Sequence, residues 1–279
     1  MFGRQNNPYG GQRGQRGRRG GKSIRGMLVI FLLMGGFYVF KYLSTSQVNE
    51  ITGEKQFISL SPEQEVAIGL QSAPSMVQQH GGLHPDQEAQ QFVDQIGEKL
   101  VNSTVVRQSG YRYDFHLLAD PNVVNAFALP GGQVFITAAL FSKLQNEHQL
   151  AGVLGHEIGH VIHRHGPERI AKMELTKGLT GAAVIASGDY GTAQAAQMIG
   201  NLINMKYGRD QELESDDWGI RLMLEAGFEP LEMIKVMDIL EEASGGGKRQ
   251  PEFQSSHPSP ENRREKIREA VQRYRGTMN

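Results

Sequence analysis

The chain has 279 residues, 39% of them hydrophobic, enough for one large domain or two small ones with a sizeable core. It contains no cysteine, which excludes disulfides, thiolate metal ligands, a cysteine nucleophile and a lipid-modified N-terminal cysteine. The net charge of −1 hides an asymmetry: residues 1–26 carry seven basic groups and no acid, so the rest holds 22 basic and 30 acidic residues, and an acidic body argues against non-specific nucleic-acid binding.

Residues 1–25 form a basic tail of Gly, Arg, Gln and Asn. With almost nothing apolar to bury, it is expected to be disordered. An uncharged run from Gly26 to Phe40 follows, and with Lys41, Tyr42 and Leu43 it covers 26–43. That is near the short end of the roughly 17–25 residues a spanning helix needs, with Lys41 snorkelling. The seven upstream positives place the N-terminus in the cytoplasm and the body across the membrane. A cleaved signal peptide ending near Ser44-Thr45-Ser46 is the alternative. An RNA-binding role for the Arg/Gly tail is a third and weaker reading.

Residues 44–60 read as a linker, and 61–279 as a single domain. Ser61-Pro62-Glu63-Gln64 carries a capping-box pattern for a helix running toward Gln79. Gly81-Gly82 breaks it, and Asp86 caps a second helix with Val93, Ile96 and Leu100 at helical spacing. Tyr111 to Leu118, Val123 to Leu129 and Gln133 to Ile136 read as strands, the last two flanking Pro130-Gly131-Gly132. A short helix is expected over Thr137 to Leu144.

The next helix, from about Glu147 to His165, contains His156-Glu157-Ile158-Gly159-His160. Histidines four apart lie on one helix face, where both rings can converge on one Zn²⁺. The intervening glutamate can reach a water on that metal. His163 and His165 then fall about one turn further along the same helix, off the metal, as structural or surface groups. Residues 171–205 are rich in Ala, Gly, Met and Ile and fit a helical hairpin, a membrane-apposed element or a lid. Arg209 to Ala226 is a helix ended by Gly227. Others begin at Pro230 and at Ser259-Pro260. The pattern is α+β: mostly helical with a small sheet.

A catalytic zinc needs a third protein ligand and an open position. Glu212 and Asp216 lie four apart on the Arg209 helix, so Glu212 can ligate while Asp216 accepts the free N–H of a ligand histidine. Glu214 points elsewhere. Tyr207 and Trp218 pack around this helix.

His156-Glu157-x-x-His160 followed by Arg209-x-x-Glu212-x-Glu214-x-Asp216 resembles the gluzincin family of CAAX prenyl proteases, HtpX-type membrane proteases and the mitochondrial Oma-type protease. Asn125-Ala126-Phe127-Ala128-Leu129-Pro130-Gly131-Gly132 resembles that family's substrate-side strand. Thr52-Gly53 and Gly81-Gly82 resemble its Oma-like bacterial branch. His257-Pro258 with Arg263 resembles its C-terminal histidine segment. Ser215 stands where the family usually has Ala, and Gly208 where it usually has Ser.

The resemblance covers roughly residues 49–275. It implies a zincin-like metallopeptidase domain behind one transmembrane helix. The activity it implies is that of a membrane-anchored endopeptidase using metal-activated water, with one Zn²⁺ on His156, His160 and Glu212. Glu157 would be the general base and His257 the oxyanion donor, with Asp216 and Arg263 behind them. Residues Asn125 to Leu129 would pair with an extended polypeptide. Substrates would be unfolded or misfolded envelope proteins at a bacterial inner membrane, the catalytic domain being periplasmic, or alternatively at the mitochondrial inner membrane. No nucleic acid is expected as a partner, nor scaffolding by C-terminal helical repeats, and the single span disfavours prenyl-protein processing. From another class comes a latent or chaperone-like zinc-binding protein, its site plugged by His257 on the loop of residues 244–258.

Overall fold

The computed structural model describes residues 24–187, 207–243, 252–258 and 262–278. The basic tail, the second half of the 171–205 segment and the glycine loop near 245 lie outside them. The first helix, α1 (Ile24–Ser44), is the one described helix long and apolar enough to cross a membrane.

Within residues 44–60, expected as a linker, the chain forms a hairpin, β1 (Ser46–Val48) antiparallel to β2 (Lys55–Phe57). Helix α2 (Pro62–Gln79) starts at the Ser61 capping box, and α3 (Gln87–Asn102) starts at Asp86, whose side chain accepts from the Glu88 and Ala89 amides. The three strands β3 (Asp114–Leu118), β4 (Ala126–Leu129) and β5 (Gln133–Thr137) form a mixed sheet of order β3-β5-β4. β3 runs parallel to β5, and β4 antiparallel to it. β4 is therefore an edge. A short α4 (Ala138–Phe141) leads to α5 (Glu147–Ile162), the motif helix, which is buried along nearly its whole length. Its apolar face packs with Leu100, Leu117, Val134 and Ile136 in the main core.

Helix α5 stops earlier than its periodicity suggests. Arg164 adopts φ +53°, a left-handed conformation uncommon outside glycine, and a new helix α6 (His165–Ser187) begins at once. Burial explains the turn. The Arg164 guanidinium bonds the buried carboxylate of Glu65, the Leu60 carbonyl and the Gln47 side chain. The hairpin caps the end of α5: Asn49 donates to the Ile162 carbonyl at 2.7 Å, and Gln56 donates to that of His163. These are the carbonyls a helix C-terminus leaves unpaired. His163 and His165 are consequently not on the motif helix, and neither is at the surface; both are almost wholly buried.

Among the described residues four further helices follow: α7 (Arg209–Glu225), α8 (Glu232–Ala243), the short α9 (Glu252–Ser256) and α10 (Arg263–Met278). α7 crosses α5 with its backbone in contact. A Cβ on Gly159 would lie 2.8 Å from the Ser215 carbonyl oxygen, and one on Gly219 would lie 3.2 Å from the His156 amide nitrogen. Small residues at this crossing let Glu212 on one helix reach the two histidines on the other.

Candidate metal centre and active site

His156 and His160 lie one turn apart on α5, with their Nε2 atoms 3.1 Å from each other. Glu212 on α7 faces both, its carboxylate oxygens 3.6 Å from His156 Nε2 and 3.4 Å from His160 Nε2. His257, which follows α9, brings Nδ1 to 3.0 Å from Glu212 Oε1 and 3.3 Å from His156 Nε2. One ligand atom from each of these four buried residues lies within 4.8 Å of the others.

The hydrogen bonds behind the rings fix which nitrogens carry hydrogen. Asp216 Oδ1 accepts from His156 Nδ1 at 2.9 Å, so His156 Nε2 presents a lone pair. His160 Nδ1 lies 2.8 Å from His165 Nδ1, and His165 Nε2 lies 3.0 Å from Glu214 Oε2. A consistent relay has His165 donating to Glu214 and His160 donating to His165, which leaves a lone pair on His160 Nε2 as well. Two lone pairs and a carboxylate then converge at close range. Glu212 Oε2 has no hydrogen-bond partner among the described residues. A buried arrangement of this kind fits a cation bound by two nitrogens and an oxygen.

Arg263 closes the network from α10. Its Nε and Nη2 donate to Asp216 at 2.6 and 2.8 Å, and Nη1 stands 3.4 Å from Glu212. Burial alone pushes the Asp216 and Glu212 carboxyls up. Arg263 and His156 together outweigh it at Asp216 and hold that pKa below the usual carboxylate range; His257, His160 and His156 hold Glu212 well below it. Burial pulls the His156 ring down, but the Asp216 hydrogen bond and charge outweigh it and leave its pKa raised. At His160 burial prevails over the Glu212 hydrogen bond and charge, and takes the ring well below the usual histidine value.

Glu157 is fully buried, and neither carboxylate oxygen has a hydrogen-bond partner among the described residues. Burial pushes its pKa up. Its nearest cationic candidate is His257 Nε2, 3.7 Å from Oε1. A desolvated carboxyl beside a metal cluster is suited to proton transfer.

Every polar residue expected at the metal centre converges on it, including Asp216 and Arg263. The strand residues Ala126, Phe127, Ala128 and Leu129 lie on the sheet edge. Phe127, Ala128 and Leu129, together with Asn125, line a cavity of about 330 Å³ that also reaches Ile170, Tyr207 and His257. Two contributions were not legible. Tyr207 does more than pack beside α7: it stacks on the His160 ring at 3.8 Å, and burial pushes its hydroxyl up to about 12. The His165–Glu214 pair holds His160; the clue in the sequence was a second cluster of His and Glu beside the first.

Comparison with known proteins agrees with this geometry. The mitochondrial metalloendopeptidase OMA1 of Saccharomyces cerevisiae is 29% identical over 255 residues, covering 85% of this chain and 72% of the relative. The beta-barrel assembly-enhancing protease of Yersinia pestis is 32% identical over 219 residues, covering 74% of this chain and 43% of the relative. The protein of that name in Escherichia coli is 31% identical over 184 residues, 62% of this chain and 37% of its own length. The chain thus spans under half the length of these two bacterial relatives. The model of peptidase family M48 matches residues 87–271, from α3 through both helices of the metal cluster to α10, and on that match the chain belongs to peptidase family M48 as a metalloprotease with one apolar N-terminal helix.

Proposed function

We propose that the protein is a membrane-anchored zinc endopeptidase that cleaves unfolded or misfolded envelope proteins. The observation that carries this reading is the Glu157 carboxylate, without a hydrogen-bond partner among the described residues, beside a buried His156–His160–Glu212 cluster. A purely structural metal site has no use for it. His156, His160 and Glu212 would hold the ion, while Asp216, itself held by Arg263, orients His156. Zinc there supplies Lewis acidity, lowering the pKa of water and polarising a scissile carbonyl. Glu157 takes the proton of the attacking water on its carboxylate and passes it to the leaving amine. The β4 edge offers main-chain pairing to an extended substrate, with modest sequence preference.

A second reading is favoured by the position of His257. With Nδ1 3.0 Å from Glu212 and 3.3 Å from His156, it stands where a fourth ligand would. That describes a latent enzyme whose open coordination position is plugged. The opposing role for His257 is to donate to the oxyanion. Cleavage by His257→Ala separates them: a plug predicts a rise over wild type, and an oxyanion donor predicts a fall of about 10²-fold.

The charge asymmetry of the N-terminus supports a cytoplasmic tail with the catalytic domain across a bacterial inner membrane, the mitochondrial inner membrane being the alternative. The names of the bacterial relatives support work on envelope proteins. The test is zinc content and casein cleavage by the full chain in detergent. Wild type is expected to hold zinc and cleave, and Glu212→Ala to lose both. Cleavage surviving in Glu212→Ala would remove Glu212 from the ligand set.

A further inference from the structure

A second cluster of ligating side chains lies beside the first. His163 Nδ1, His165 Nε2 and a Glu214 oxygen lie within 4.8 Å of one another. His165 Nε2 is 3.0 Å from Glu214 Oε2, and His163 Nδ1 is 4.0 Å from the same oxygen. Glu54, from the turn between β1 and β2, adds a carboxylate oxygen 3.0 Å from His163 Nδ1. Both rings are buried, whereas Glu214 and Glu54 are 39% and 46% exposed. The set therefore has two fixed nitrogens and two adjustable carboxylates. Tetrahedral ligands at 2.0–2.2 Å from an ion stand roughly 3.3 Å apart. The His165–Glu214 and His163–Glu54 contacts already approach that, and a turn of the exposed Glu214 shortens its 4.0 Å contact with His163.

We propose that His163, His165, Glu214 and Glu54 form a second site for a divalent transition-metal cation, separate from the catalytic cluster. The ligand chemistry, two imidazoles with two carboxylates, suits zinc and its neighbours in the series. An approach path exists. Glu54, His165 and Glu214 line a solvent-connected cavity of about 680 Å³ that also carries Glu168 and Asp210. The other nitrogen of His163, Nε2, is buried with no hydrogen-bond partner among the described residues. Before an ion binds, Glu54 therefore holds the ring hydrogen on Nδ1, and when an ion takes the Nδ1 lone pair that hydrogen moves to Nε2, which has no competing donor among the described residues.

This site is tied to the first through His165. One ring nitrogen of His165 faces the new site, and the other lies 2.8 Å from His160 Nδ1. The two sites thus meet at one pair of histidines, and the second, closed by two carboxylates that are partly exposed to solvent, binds its ion more weakly than the first.

The experiment is metal titration of the chelator-stripped full chain in detergent, using Zn²⁺ for stoichiometry and Co²⁺ for visible absorption. Wild type is expected to take two equivalents, one tight and one weaker. Glu54→Gln weakens the second at least tenfold, and Glu54→Gln with His163→Gln abolishes it, both leaving the tight equivalent and casein cleavage at one equivalent unchanged. Glu212→Ala loses the tight equivalent and keeps the weaker one, so failure of either site is read separately. Glu54 is a surface residue, so its variant stands as the folding-safe arm. A single equivalent in wild type, or two in the double variant, would overturn the proposal.

Discussion

Glu157→Gln is expected to lower casein cleavage by about 10²–10⁴-fold while the protein keeps its zinc. The change is isosteric and removes the proton acceptor alone. The Glu157 oxygens make no hydrogen bond to the described residues, so no partner is stranded when the charge goes. The ligand atoms of His156, His160 and Glu212 are untouched. Nor does the fold rely on the charge, since burial already pushes the Glu157 carboxyl up; the melting temperature should hold. The check is the hydrolysis rate beside metal analysis of the same preparation. Cleavage near the wild-type rate would deny Glu157 the base role. Loss of zinc together with activity would make it structural instead.

The second large effect concerns stability. Arg263→Met is expected to cost about 3–5 kcal/mol and lower the melting temperature by about 10 °C. The guanidinium is buried and bonds Asp216 through two nitrogens, and Glu212 stands 3.4 Å from a third. Removing it leaves two carboxylates close together with only histidines to offset them. Metal affinity should fall as well, by about 10–100-fold, because Asp216 then orients His156 without support. The pH dependence has a definite sign. Asp216 and Glu212 titrate below their usual range in the fold, so their contribution is present above about pH 4 and is lost as pH falls through the folded values. The gap between wild type and variant therefore narrows in acid. Melting curves with chelator from pH 7 down to pH 3 test this, and a gap that widened in acid would contradict the assignment.

The metal centre was largely legible because it rests on local rules. Four-residue spacing puts His156 and His160 on one helix face and sets Asp216 one turn behind Glu212, and helical periodicity needs no knowledge of the rest of the chain. The capping signals at Ser61 and Asp86 are local in the same way. The break at Arg164 was not legible, because its cause is Glu65, 99 residues upstream. The burial of His163 and His165 follows from that break and from a hairpin whose Asn49 reaches Ile162 across 113 residues. A segment rich in polar residues and flanked by an anchor reads as a linker until its long-range partners are known. The plug-like position of His257 was legible through the family resemblance, but not its carrier α9, which is too short for its periodicity to announce it.

Helix α6 sets a distance. It runs antiparallel to α1: Lys41 meets Glu174, Tyr38 lies against Gly178, and Gly35 faces Leu179. The sequence after Lys177 is uncharged to the helix end at Ser187. Were α1 to cross a bilayer, as proposed, residues 165–177 would stand as a polar post between the lipid and the metal cluster. At 1.5 Å per residue that post is about 20 Å tall. An extended chain covers that height in about six residues. On the proposed reading as a membrane-anchored protease, the post would act as a ruler: a substrate held in the same membrane would be cut only where roughly that many residues have unravelled above the lipid.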